Sequence, residues 1–423
     1  MRPGSVSHKA SRLSFWAATP LCPILILLAL GPVSCGGEAP ATPSFTVRDS
    51  AGIVIVENQG TPLDAGGGWG LSSAPILEIG AMEGEDAYQL YRVRGAFRLS
   101  DGRVAVVNHD APDLRIFAPD GTHLHTFGRK GEGPGEFTSP VLAGILEGDT
   151  LVVVDDLLRR INLFHPERGF IRSANAEPEI VGYLLTVGMF SKGTVVIWRG
   201  IFGEGPQDGH ARRPVQYRSV SLDGALETDF GEFPGNETVL ATRPSGEGMV
   251  ASIATVPFGR RPKAAVRGNR LFFGSQDSYE VRVYRAGGEL VRLVRVDRDP
   301  VPVLAEHLEA LVEARLAGAD DDDRARAIRR SLDEMPVPEV HPAHGDLHAD
   351  PFGYFFVEDY RLPGEDVPVL SVFDPEGRMV GSLTLPEGLR VLDIGEGFLL
   401  GLYQDELDVE FLRLYRLDRP GGP

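Results

Sequence analysis

One short pattern recurs along this chain and limits what it can fold into. A strand of alternating character ends on an apolar or aromatic residue and runs into a glycine turn. It first reads Leu114-Arg115-Ile116-Phe117-Ala118-Pro119-Asp120-Gly121. It returns as Ile161 to Phe164 leading to Gly169, as Tyr217 to Gly224, and as Val281 to Tyr284 leading to Gly287-Gly288. Val369 to Gly377 and Phe411 to Tyr415 complete the series. Repeats of roughly 40–60 residues built from short strands indicate a propeller or a solenoid, because one such unit cannot bury its apolar faces alone.

The 423 residues would suggest two or three domains by length. A propeller is the exception, since every sheet belongs to one assembly. Hydrophobic content of 42% is enough for a core. The formal net charge of −18 argues against nucleic acid, whose phosphates need a basic surface. Acidity of this kind speaks to solubility rather than to fold.

Residues 1–35 read as an export signal. Arg2, Lys9 and Arg12 precede the apolar run Leu21 to Leu30, which is too short to span a bilayer comfortably. Val33-Ser34-Cys35-Gly36-Gly37 follows. Residues 36–44 read as a flexible tether and 45–418 as the folded part, with a tail over 419–423. The two cysteines, Cys22 and Cys35, both lie in the export segment, so the folded part has neither disulfide nor thiol chemistry.

The clearest repeat supplies a resemblance. Val93 to Leu99, the Asp101-Gly102 turn and Arg103 to Val107 give two strands. Leu114 to Phe117, Pro119-Asp120-Gly121 and His123 to Phe127 give two more. Gly128 to Phe137 then crosses to the next unit. An Arg-Ile-x-Phe strand, an Asp-Gly turn and a Pro-Gly-x-Phe crossing resemble the NHL-type propeller repeat. The chain as a whole resembles exported bacterial six-bladed propellers, often lipoproteins of unassigned activity. The resemblance covers about 45–418. It implies an all-β, six-bladed β-propeller and says almost nothing of function. Cys35 resembles the lipid-modified cysteine of a bacterial lipoprotein signal, although Pro32 stands where that pattern wants Leu. The alternative is ordinary cleavage that releases a soluble protein. Either way the implied location is the cell envelope, with the membrane as partner only through a lipid on Cys35.

Further expectations follow from the strand pattern. The fourth unit takes Met249 to Thr255, Arg270 to Gly274 and Val281 to Tyr284. The sixth, from Arg390 to Leu417, is a strand short. Gly52 to Glu57 has no unit of its own and is expected to complete it, because open edges are a liability. Leu304, Leu308, Leu311 and Val312, then Ala325, Ile328 and Leu332, fall at helical spacing. A helical hairpin is therefore expected at about 303–335, between units four and five. Asp320 to Asp323 suit a helix start better than a calcium loop.

The candidate chemistry is concentrated in His341 to Asp350. On a strand, Asp346, His348 and Asp350 share a face by the two-residue period. With His344 they are candidate ligands for a divalent metal, the one cofactor this chemistry admits; otherwise none is expected. One strand offers about two ligands, so others must come from elsewhere. His109, His165 and His210 lie on loops. The opposing reading makes the four residues channel lining or surface, and the resemblance to exported propellers implies that Asp350 prepares the turn before Tyr354. Trp69, Trp198, Tyr183 and Tyr360 could form a sugar or peptide platform, though aromatics in sheets are more often core. Neither a nucleophile elbow, a zinc-binding helix motif nor a phosphate loop is present. The reading that results is a non-enzymatic binding or scaffolding propeller with a peptide, glycan or protein partner. The alternative is a metal-assisted lyase or hydrolase, as in the amidating lyases and lactonases among such rings.

Overall fold

The structure, a computed structural model, describes residues 44–60, 68–177, 185–200, 209–245, 248–317 and 321–420. The chain divides into Met1–Thr42 and Pro43–Pro423, and all described residues belong to the second unit. The export signal and Cys35 lie outside them.

The architecture is all-β and propeller-type. Successive sheets occupy 93–127, 140–175, 185–233, 263–296, 347–384 and 389–418. The first strands are Val93–Arg98, Pro140–Ile145, Leu185–Met189, Lys263–Arg267, Leu347–Ala349 and Leu389–Gly395. Each lies against the next in this order, and Leu389–Gly395 lies against Val93–Arg98. A seventh sheet of three strands joins Gly209–Arg212, Glu237–Ser245 and Gly248–Thr255.

Burial on both faces explains the apolar second strands. In the first sheet, Val104 and Val106 pack with Leu400 and Leu412 of the sixth, while Ala105 and Val107 pack with Leu151 and Val153 of the second. In the fifth, Phe355 and Val357 join Val281 and Val294 of the fourth, and Phe356 turns to Leu399 and Tyr415 of the sixth. The two-residue period thus feeds two cores from one strand. Each of the six apolar clusters straddles two neighbouring sheets.

The recurring glycine turn has a specific job. Gly121, Gly169, Gly224, Gly288 and Gly377 all have φ between 77° and 90°, a region that excludes most side chains. Each also leans on the outer strand of the preceding sheet. A Cβ on Gly169 would meet Phe127, one on Gly224 would meet Asn175, and one on Gly288 would meet Thr228. On Gly377 it would come within 2.6 Å of Val294. On Gly121 it would come within 3.1 Å of Leu77, a residue paired with the sixth sheet.

Two expectations about the strands are corrected. Gly52 to Glu57 does not complete the sixth sheet. Ile53–Asn58 forms a hairpin with Phe45–Ser50 and pairs in parallel with Leu290–Val296, the outer strand of the fourth. The reason is Asn58, which is buried and satisfied only there. Its Nδ2 donates to the carbonyls of Arg295 (3.1 Å) and Gly377 (3.0 Å), and its Oδ1 accepts from the Met379 N–H at 2.8 Å. A buried amide left unpaired would be costly, so these bonds fix the register. The sixth sheet instead takes Leu77–Ile79, paired with Leu412–Leu414, and Gly70–Leu71, paired with Leu417–Asp418. The second correction concerns the fourth sheet. Its first strand is Lys263–Arg267, and Met249 to Thr255 belongs to the three-stranded sheet. First strands crowd together and favour small residues, so Ala264-Ala265 gives less strand signal than the apolar segment before it.

The helical hairpin lies between the fourth and fifth sheets as α1 (Ala305–Ala317) and α2 (Asp322–Asp333). The Asp321 carboxylate caps α2, accepting from the Arg324 N–H at 2.7 Å. On α1 the buried residue is not a leucine but His307, whose Nδ1 lies 2.8 Å from His341 Nε2; Leu304 is 45% exposed.

The pairing of the sixth sheet gives a direct test. Ile79 is 2% exposed inside a two-sheet cluster, whereas Val47 on the outer hairpin strand is 55% exposed. Ile79→Ala should lower unfolding free energy by about 2–5 kcal/mol, and Val47→Ala by less than about 0.5 kcal/mol, as read from urea denaturation midpoints. Equal effects would remove Leu77–Ile79 from the core.

Candidate functional site

The six first strands enclose a central cavity of about 660 Å³. Close approach is needed here. A Cβ on Gly95 would come within 2.9 Å of the Leu142 carbonyl oxygen, and one on Gly144 within 2.8 Å of Met189. Small residues let the strands converge, while charged residues at the strand ends ring the two mouths.

At the mouth formed by the N-terminal strand ends, a polar belt passes from sheet to sheet. Arg94 of the first sheet places Nη2 3.1 Å from Asp156 Oδ2 of the second. Asp156 Oδ1 accepts from the Thr186 hydroxyl of the third at 2.8 Å. Burial pushes the Asp156 carboxyl up to about 6, against the pull of Thr186 and Arg94. Lys263 of the fourth sheet lies 2.6 Å from Asp346 Oδ1 of the fifth. Arg390 of the sixth donates to the Val93 carbonyl of the first at 3.5 Å. Burial alone would raise the Asp346 pKa, but Lys263, His348 and Arg390 hold it below the ordinary carboxylate value.

Toward the opposite mouth one ion pair spans the cavity. Arg267 Nη2 of the fourth sheet lies 3.1 Å from Asp393 Oδ1 of the sixth, so the guanidinium reaches past the fifth. It also lies 5.9 Å from the Phe97 ring centroid on the first sheet. Asp393 Oδ2 accepts from the Arg98 backbone N–H at 3.4 Å. Asp393 is 4% exposed, and burial raises its pKa despite Arg267.

The four metal candidates are distributed rather than gathered. His348 lines the cavity, with its pKa pushed down to about 4, first by burial. Asp346 is taken up by Lys263. His344 is fully buried against Gly274 and Tyr279; Nδ1 meets the Gly345 carbonyl at 2.9 Å and Nε2 has no partner among the described residues. Burial pushes its pKa to about 4. Asp350 leaves the strand face altogether. Its Oδ1 accepts from the N–H groups of Phe352 and Tyr354, both at 2.9 Å, and its Oδ2 accepts from Arg419 at 2.6 Å. Among the described residues, three or more His, Cys, Asp or Glu side chains do not come together in a way that could hold a metal ion. His109, His165 and His210 are not among the cavity-lining residues. Of the aromatic candidates, Tyr183 lies outside the described residues. Tyr360 packs on His341, Trp198 packs beside the core between the third and fourth sheets, and Trp69 meets Tyr354 and Phe356.

The cavity arginines were passed over in the sequence. A signal was present: Arg94 and Arg98, like Lys263 and Arg267, are cations four residues apart on strands of otherwise small or apolar residues. An even spacing puts both members of a pair on one face of a regular strand.

No family model matches the chain, and no curated protein matches it. Among solved structures it is similar to a candidate exported protein of Bacteroides fragilis, at 11% identity over 86% of this chain and 99% of that one, with a TM-score of 0.45. It is similar to a member of the DUF4221 family from Bacteroides vulgatus, at 12% identity over 84% and 99%, with a TM-score of 0.46. It is also similar to virginiamycin B lyase from Staphylococcus aureus, at 10% identity over 80% and 97%, with a TM-score of 0.39. None of the described helices is long and apolar enough to cross a membrane.

The cross-cavity ion pair yields a pH-dependent expectation. Arg267→Ala strands a buried carboxylate and should cost about 3–5 kcal/mol at neutral pH. Without Arg267 the folded-state pKa of Asp393 rises further above its unfolded value. The folded form then holds a proton that the unfolded form does not, and the deficit shrinks as pH falls toward the unfolded pKa. Urea denaturation of variant and wild type at pH 7.5 and pH 5 measures this. A deficit independent of pH would mean that Arg267 does not neutralise Asp393.

Proposed function

We propose that the chain is a closed six-bladed propeller outside the cytoplasm, tethered through Cys35, which binds a polar ligand in its central channel and performs no catalysis. Closure is supported by the cyclic contacts of the first strands and by Gly121 leaning on Leu77 as its counterparts lean on their neighbours. The observation that carries the binding reading is the Arg267–Asp393 pair. It sets one positive and one negative group in contact, 3.1 Å apart, in the lining of a cavity of about 660 Å³. A ligand bearing both charges, such as a peptide segment or a charged glycan, can replace each partner with its own group. The buried Asp393 carboxylate then has a cationic partner in both states.

Screening purified protein by thermal shift against charged peptides and oligosaccharides tests the reading. A ligand should raise the melting temperature of wild type and leave Arg267→Ala unmoved. The opposite result is also defined. Suppose no ligand acts, while lactone or ester substrates turn over with added divalent metal. If that activity is lost in Asp346→Ala and His348→Ala, the function passes to a metal-assisted lyase or hydrolase. The tether is tested by Cys35→Ala, which should move the protein from the membrane fraction to the soluble fraction. Wild type already found in the soluble fraction would remove the anchor.

A further inference from the structure

Between the fifth and sixth sheets, the Arg419 side chain sits in a box of aromatic rings. Its guanidinium carbon lies 5.4 Å from the ring centroid of Trp69, 5.1 Å from Phe352 and 5.7 Å from Tyr354. Nη1 donates to Asp350 Oδ2 at 2.6 Å, and Nη2 to the Gly395 carbonyl at 2.9 Å. Three ring faces, one carboxylate and one carbonyl thus converge on a single planar cation.

The parts come from separate segments, and each is held independently of the arginine. Trp69 packs edge-on against Tyr354 and Phe356, and it lies so close to Gly381 that a Cβ there would come within 2.6 Å of it. Asp350 is fixed by the Phe352 and Tyr354 N–H groups on its Oδ1. The Asp350 side chain is fully buried, and among the described residues its Oδ2 takes only Arg419. Removing the arginine leaves a preformed box with an uncompensated buried negative charge facing into it, which is a strong demand for a cation. Phe352 is 50% exposed, so one wall of the box faces solvent.

We infer that Trp69, Phe352, Tyr354 and Asp350 form a guanidinium-binding cage, of which Arg419 is the ligand in cis and for which an arginine side chain of a partner is the ligand in trans. The class follows from the acceptors. Asp350 Oδ2 and the Gly395 carbonyl each need an N–H donor. A guanidinium supplies both from one plane, and a quaternary ammonium supplies none. An intramolecular ligand acts at an effective concentration of about millimolar, so a group in trans competes poorly until Arg419 is displaced or removed.

The experiment opens the cage with Arg419→Ala and offers ethylguanidinium as probe. The readout is the indole N–H resonance of Trp69, assigned by its loss in Trp69→Phe. The variant should show a saturable shift at low-millimolar probe, with wild type needing about tenfold more. Tetramethylammonium, which has the charge without a donor, should bind the variant about tenfold more weakly. Adding Asp350→Asn should abolish the shift. A folded Arg419→Ala with no saturable response, or with equal responses to both cations, overturns the inference. If the variant does not fold alone, refolding yield becomes the readout. A rise with ethylguanidinium and none with tetramethylammonium supports the cage, and no rise overturns it.

Discussion

Each of the six successive sheets is buried on both faces by its neighbours, and the rest of the structure depends on that. A strand such as Val104–Asn108 has no solvent side on which to place polar residues, so both of its side-chain sets are apolar and each set belongs to a different core. The cores are therefore shared property, and no sheet is stable apart from its neighbours. With no cysteine in the described residues, this mutual burial and strand pairing carry the stability. The glycine hairpins serve the same end, since they bring the third-to-fourth turn of each of the first five sheets against the sheet before it.

The same geometry sorts the polar residues. Strand ends at the two mouths are the places in the convergent centre where charge can be carried, and there it is carried in pairs that bridge sheets: Arg94 with Asp156, Lys263 with Asp346, Arg267 with Asp393. The chain is strongly acidic as a whole, yet these paired sites bring basic groups from the first and fourth sheets to the central cavity and its mouths. The Arg419 cage applies the same logic between the fifth and sixth sheets, where a buried carboxylate is matched by one cation and the surplus contact area is aromatic.

Much of the fold was legible because it is local. Strand, turn and strand lie within about twenty residues of one another, and Asp-Gly turns mark them without ambiguity. The helical hairpin was legible from spacing and from the acidic run before α2, although the residue that α1 buries is His307, which no apolar stripe announces. What stayed hidden is non-local or brief. Leu77–Ile79 is three residues long and carries no strand signal of its own; it is a strand because Leu412–Leu414 needs a partner. Gly52 to Glu57 was correctly seen as an orphan, but the bonds that place it belong to Asn58, just beyond it. In the site, Asp350 was seen in two ways. Its turn-forming oxygen is implied by the resemblance to exported propellers, while its second oxygen answers to Arg419, which no spacing links to it. The metal reading takes 346–350 as a regular strand, whereas the strand is only Leu347–Ala349 and Asp350 turns away into its own turn.

Both joints of the N-terminal segment bind the chain to residues made much later. The Asn58 amide waits for the carbonyl of Arg295, 237 residues on, and Glu78 waits for Arg413, 335 residues on. Loop closure over such spans opposes early pairing, and contacts of this kind form slowly. Order of assembly is thereby built into the molecule: the middle sheets can stack as they emerge, while the beginning of the polypeptide stays unmatched until its end has been delivered. In the meantime two apolar strands are exposed to mispairing.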